Sequence, residues 1–265
     1  MTKVGLLGLG HMGAALAQGW SRESEFELRG FDADAERMER LASLGVLGRV
    51  DSAEELVAES EYVVLAVKPQ QIREVLEGLA PALGPGHCLI SIAAGVTTDS
   101  LTSWSGHTCP VVRVMPNMPA LVESGVFAVC LEDSALTQAQ QEFVRALFQL
   151  LGRVHILPES QFDAFTALVG SGPAYVYYLM ESLIEAGVSL GFAREKSKDM
   201  VQGLLEGSVE MAGQSDSSVT ALRESIMSPA GTTGAGVLEL ERKTVRSAIV
   251  DAVMAACRRS SELGG

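Results

Sequence analysis

Apolar residues in the first part of the chain fall into short runs separated by helical repeats. Residues 3–8 (KVGLLG), 26–32 (FELRGFD), 62–67 (YVVLAV), 88–92 (CLISI) and 110–115 (PVVRVM) read as strands, with weaker ones at 126–131 and 154–157. Between them the spacing predicts helices over 11–23, with Met12, Ala15, Leu16, Gly19 and Trp20 along one side, and over 35–44, with Met38, Leu41 and Ala42. A further helix starts at Pro69, carrying Ile72, Val75, Leu76 and Leu79 at i, i+3, i+4 and i+7; others cover 98–104 and 137–150. Such alternation predicts stacked βαβ units and a mostly parallel sheet.

After Pro158 the strand-like runs stop. Long helical patterns cover 161–169, 173–190, 195–212, 219–226 and 236–263, the last with Leu238, Val245, Ile249, Ala252, Val253 and Ala256 in register. The predicted organisation is therefore α/β over residues 1–158 followed by an all-helical domain over 159–265. A helical domain of that size is small to bury so many apolar faces alone, so packing against a second copy is expected. No internal repeat or low-complexity tract interrupts either part.

Composition narrows the function classes. The chain has 265 residues, 47% of them hydrophobic, which excludes a disordered chain. A formal net charge of -13 repels nucleic-acid phosphates and anionic lipid, so neither is an expected partner. Cys88, Cys109, Cys130 and Cys257 form no Cys-x-x-Cys pair and read as free thiols in a reducing compartment. His11, His87, His107 and His155 lack metal-ligand spacing, so no metal is expected. The uncharged stretch 78–98 is broken by Pro81, Gly84, Pro85 and Gly86 and does not read as a membrane span. With no export pattern at its start, the chain is expected in the cytoplasm.

The most informative motif is Gly8-Leu9-Gly10-His11-Met12-Gly13, a G-x-G-x-x-G that follows a strand and opens a helix. In that context Gly8 allows the tight turn. Gly10 lets a pyrophosphate approach the backbone, Gly13 seats the helix on the strand, and the helix start offers amides to the diphosphate. This predicts a dinucleotide-binding domain. Asp32, at the end of the second strand, is placed to accept the adenosine ribose hydroxyls; the alternative is a solvated turn acid. The nearby Arg37 leaves NADH and NADPH both open, with Asp32 tilting the balance to NADH.

Ala66, Val67, Lys68 and Pro69 form the turn after the third clear strand, where they would run under a cofactor. Lys68 reads either as a ribose or phosphate contact or as a solvent lysine. Ala94 and Asn117 end the next strands at the same edge. Small residues there leave room for a nicotinamide; Asn117 either orients an amide or caps a turn. In the helical part, residues 170–175 (GSGPAY) read as a helix start or a close packing point. Residues 228–234 (SPAGTTG) form a hydroxyl- and glycine-rich loop ahead of the last helix. Such a loop presents amides and hydroxyls to an anion such as a small carboxylate, or simply caps the helix.

Taken in order, GLGHMG at 8–13, AVKP at 66–69, SIAAG at 91–95, RVMPNMP at 113–119, GSGPAY at 170–175 and SPAGTTGAGVLELE at 228–241 resemble the pyrroline-5-carboxylate reductase family over nearly the whole chain. The chain departs from the family's usual Ser-Pro-Gly-Gly-Thr-Thr by carrying Ala230 for the first glycine. It also lacks the His-Pro pair the family often has near Ser218 and Val219. The resemblance implies a Rossmann-like first domain and a helical second domain that interlocks with another subunit, giving a homodimer and in some relatives a decamer of five dimers. It implies NAD(P)H-dependent reduction of a cyclic C=N bond to give L-proline. On that footing, substrate carboxylate binding falls to the amides of Gly231, Thr232 and Thr233 with the hydroxyls of Ser228 and Thr233. Thr233 is then the candidate catalytic residue, bonding the ring nitrogen.

Two rivals stand beside this reading. A β-hydroxyacid dehydrogenase would share the opening but needs a lysine after the glycine-rich helix start, where this chain reads PAYVYYLME. A non-catalytic nucleotide sensor would keep the glycine turn without a reason to keep the 228–234 loop.

Overall fold

The computed structural model describes residues 1–23 and 25–264; Ser24 and Gly265, which belong to the two expected domains, lie outside the described residues. The chain forms two units, Met1–Ser171 with Ala256–Gly265, and Gly172–Ala255. The strands end just before the expected boundary at 158. The first unit nevertheless continues to Ser171, because Phe162 and Phe165 are buried against Ala128 and Cys130.

In the first unit the strands are β1 (Thr2–Leu7), β2 (Phe26–Phe31), β3 (Gly48–Arg49), β4 (Tyr62–Leu65), β5 (Cys88–Ser91), β6 (Val111–Met115), β7 (Gly125–Cys130) and β8 (Gly152–Ile156). They form one sheet in the order β3-β2-β1-β4-β5-β6-β7-β8. All neighbours are parallel except β6 and β7. The order reverses between β1 and β4, which is where open sheets of this kind bind ligands.

Helices cover both faces, which explains why the central strands are apolar without alternation. Val64 and Ile90 belong to one core with Leu16 and Trp20 of α1 (His11–Trp20), Met38 and Leu41 of α2 (Ala35–Ser43), and Phe148 of α6 (Gln138–Gln149). Val63, Leu65 and Leu89 face the other core. They meet Leu56 of α3 (Ala53–Ala58), Ile72 and Leu76 of α4 (Pro69–Leu79), and Leu101 of α5 (Thr98–Trp104). Trp20 is fully buried; its Nε1–H donates to the Leu147 carbonyl at 2.8 Å, and its ring meets Phe148 edge-on. That contact ties the first helix to the last one of the sheet layer.

The second unit is helical: α8 (Gly172–Ser189), α9 (Arg194–Gln214), α10 (Val219–Ser225), α11 (Thr232–Arg242) and most of α12 (Val245–Gly264). α8 and α9 turn tightly on each other. A Cβ at Gly187 would run into Ser197 Oγ, which donates to the Ile184 carbonyl at 3.0 Å.

Three sequence expectations need correction. The single last helix over 236–263 is two helices, because Thr244 takes a left-handed φ of 55° after Lys243 ends α11. The helix over 161–169 is only the short α7 (Phe162–Phe165), which runs into a π turn over Thr166–Gly170 closed by Ser171 N–H donating to Thr166 O. The helix over 11–23 stops at Trp20. The pattern also missed β3 and α3.

Candidate active site

The glycine turn between β1 and α1 is built as its spacing requires. Gly8 has φ +98°, and a Cβ there would stand 2.7 Å from the Ala66 carbonyl carbon and 2.8 Å from Val67 N. A Cβ on Gly13 would collide with the Gly8 carbonyl oxygen, whereas one on Gly10 would meet nothing within 4 Å. So Gly8 and Gly13 serve the turn and the helix seat, and Gly10 keeps open the side a ligand would approach. Gly10 is the N-cap of α1 and supplies no side-chain cap, which leaves the first-turn amides available to an anion.

That turn borders a cleft of about 560 Å³ lined by Gly8, Gly10, Asp32, Arg37, Val67 and Lys68, among others. His11, Met12 and Ala66 line it too, while Leu9 is buried beneath the turn. The Asp32 carboxylate braces the turn: Oδ2 accepts from Leu9 N–H at 2.6 Å and Oδ1 from Asp34 N–H at 2.9 Å. Arg37 Nη1 lies 3.5 Å from the same Oδ2. Each carboxylate oxygen keeps a second lone pair, so Asp32 can still accept from ribose hydroxyls. Arg37 adds a cation able to meet a phosphate at the same place.

A second cavity of about 320 Å³ lies in the same unit, lined by Pro69, Ala94, Gly95, Thr166, Ser171 and Arg259 with neighbours. The predicted site residues Pro69 and Ala94 are found here rather than in the first cleft. Asn117 lines neither cavity. It is a strut, with Oδ1 accepting from Val126 N–H at 2.9 Å and Nδ2 donating to Val169 O at 3.4 Å, so it fixes the π turn that forms one wall. The GSGPAY motif marked the end of this turn, but nothing in the sequence showed its π geometry.

In the second unit, Ser228 to Thr233 form a turn that opens α11. Gly231 is the N-cap and its own N–H donates to the Ser228 carbonyl at 3.0 Å. The Gly231 amide expected to bind substrate is thus taken by the loop itself, while Thr232 and Thr233 begin the helix with no capping side chain. Ala230 holds a left-handed φ of 58°, a conformation that favours the glycine it replaces in the family motif.

A family model described as pyrroline-5-carboxylate reductase dimerisation matches residues 159–263. The chain is also 36% identical over 264 residues to the pyrroline-5-carboxylate reductase of Pseudomonas aeruginosa, covering 98% of this chain and 96% of that protein. The chain belongs to the pyrroline-5-carboxylate reductase family. A second model, described as NADP oxidoreductase coenzyme F420-dependent, matches residues 3–95, the stretch holding the glycine turn, Asp32 and the Ala94–Gly95 wall. The Plasmodium falciparum pyrroline carboxylate reductase, solved with NADP bound, superposes with a TM-score of 0.90 at 36% identity over 100% of this chain and 98% of that one. The Coxiella burnetii pyrroline-5-carboxylate reductase gives 0.91 at 28% identity, covering 100% and 99%. As in those reductases, a Rossmann-like sheet unit is followed by a helical one.

Proposed function

We propose that this chain is a pyrroline-5-carboxylate reductase, reducing 1-pyrroline-5-carboxylate to L-proline with NADH or NADPH. The full-length likeness to named reductases carries this reading. The open Gly10 side of the turn, the uncapped start of α1 and the 560 Å³ cleft support the nucleotide half of it. A bound nicotinamide supplies hydride to the imine carbon. The chain's own work is then to hold the ring and to orient it.

Thr232 and Thr233 amides, with the Ser228 and Thr233 hydroxyls, hold the substrate carboxylate; Gly231 shapes the loop. The Thr233 hydroxyl serves the ring nitrogen. Asp32 favours NADH through the ribose, against the pull of Arg37 towards a 2′-phosphate. The helical unit pairs two chains into a homodimer, and five dimers assemble into a decamer. Among the described residues no helix is long and apolar enough to cross a membrane. We place the enzyme in the cytoplasm.

Loss of the nicotinamide absorbance on adding pyrroline-5-carboxylate tests the reading, with a hydroxy or keto acid as the rival substrate. Turnover only with the rival substrate, or with neither, rejects it. Thr233→Ala should lower kcat about tenfold, the worth of one hydrogen bond, while cofactor affinity stays within twofold. An unchanged kcat removes Thr233 from the chemistry.

A further inference from the structure

A charged residue inside the apolar run of β6 points to a second feature of the site. Arg113 is buried, with only 6% of its surface exposed, and burying a guanidinium demands a partner. It finds one 46 residues further on: Arg113 Nη1 donates to Glu159 Oε1 at 2.8 Å. Its guanidinium carbon also lies 4.7 Å from the centre of the Phe162 ring, beyond which the chain enters the π turn.

The Glu159 carboxylate accepts from more than Arg113. Thr98 N–H donates to Oε1 at 2.8 Å, and the Thr98 hydroxyl donates to Oε2. Thr98 is the first residue of α5, directly after the turn that carries Ala94 and Gly95. The main-chain N–H of Glu159 is held in turn by Glu132 Oε2 at 2.9 Å. One carboxylate therefore ties together β6, the start of α5 and the segment leading into the π turn.

Those tied segments lead to two separate stretches of the lining of the 320 Å³ cavity. Ala94 and Gly95 belong to the stretch that precedes Thr98; Thr166 and Ser171 belong to the stretch that follows Glu159 and Phe162. Asn117 braces the second stretch independently through Val169. We infer that Glu159 is a positioning residue, setting the spacing of these two stretches of the cavity lining through Thr98 and Arg113, so that the nicotinamide end of the cofactor is held in the pose that hydride transfer requires. This rests on the reductase reading above and on the small residues Ala94 and Gly95 leaving room there for the nicotinamide. Glu159 touches neither ligand in this account.

The test is Glu159→Gln in the full-length enzyme. The amide removes the charge that pairs with Arg113 and turns its NH₂ to the Thr98 hydroxyl, which must then accept instead of donate, so the clamp is weakened without emptying the space. Misplacement of reacting groups by a fraction of an ångström should lower kcat about tenfold. The cofactor Kd, set in the 560 Å³ cleft, should stay within twofold. The isotope effect with cofactor deuterated at the transferred position should rise as hydride transfer becomes more limiting. Thr98→Val, which removes one hydrogen bond and leaves the ion pair, should give a smaller loss of the same kind; it decides the question if Glu159→Gln does not fold. A kcat within twofold of the parent in a folded variant, or a loss matched by an equal loss of cofactor affinity, overturns the positioning role alone. An unaltered chain that turns over no pyrroline-5-carboxylate with either nucleotide overturns the reductase reading and this role with it.

Discussion

The two units differ most in what they bury. The sheet unit has two large cores and a smaller cluster around Phe162 and Phe165, with strands such as β4 and β5 buried along their whole length. Among the described residues of the helical unit only Ser197 and Val201 are buried, while Tyr178 and Val209 are more than 70% exposed and α8 buries no residue at all. One unit builds its cores from its own chain; the other leaves most of its apolar side chains open. At roughly 25 cal/mol per Å² of apolar surface, so open a helical unit has little to set against its chain entropy until a second copy covers it. The family model over these residues is named for dimerisation, in keeping with that. The difference also sorts the features of the chain: the sheet unit shapes the glycine-turn cleft, and the helical unit carries the Ser228–Thr233 turn.

Perturbations aimed at one unit should spare the other. The largest effect is expected from Gly13→Val, whose side chain would strike the Gly8 carbonyl. Relieving a clash worth ~2–3 kcal/mol by opening the turn should weaken nucleotide binding about 100-fold, read by fluorescence titration, with the dimer intact by ultracentrifugation. Next, thermal unfolding followed by the helical signal should depend on protein concentration, rising by several degrees over a hundredfold range, as mass action requires of a unit completed by its partner. A concentration-independent melt would mean the helices stand alone after all.

Ala230→Gly should stabilise the helical unit by about 0.5–1 kcal/mol, because it relieves a left-handed alanine, less the extra freedom glycine has when unfolded. Chemical denaturation measures it, and a destabilised variant would show that the Ala230 methyl has a packing role. The smallest effect concerns acid. Burial works to raise the Glu159 pKa, but the hydrogen bonds from Thr98 and Arg113 outweigh it, and the net shift is downward. A carboxylate with a lowered folded pKa stabilises above its ordinary value of about 4.5 and loses that contribution as the pH falls through the folded one. Glu159→Gln should therefore flatten, modestly, the loss of sheet-unit stability as the pH falls below the ordinary carboxylate value of about 4.5, since solvent screens part of the interaction.

How much of this was legible along the chain depended on whether the cause was local. The glycine turn was readable because Gly8 and Gly13 stand where a Cβ meets backbone, a constraint that leaves only one residue type. The strands were readable because both faces of the sheet demand apolar residues. β3 is two exposed residues and α3 is rich in glutamate, so neither left an apolar pattern to find. The break at Thr244 has no glycine or proline beside it, and GSGPAY, whose Gly170 closes the π turn, marked the start of the next helix but not the π geometry before it. Asn117 and Glu159 act through partners 52 and 46 residues away, distances no spacing rule spans. Arg113 left the one available trace, a cation within PVVRVM, since a buried strand tolerates charge only when it is paired.

Trp20 and Trp104, the chain's two tryptophans, both lie in the sheet unit. Excited selectively, their emission reports solvent reaching the sheet and is blind to the helices. Circular dichroism, dominated by helical backbone, sees both. Run side by side on one unlabelled sample, the two optical signals therefore separate loss of the partner from collapse of the nucleotide fold.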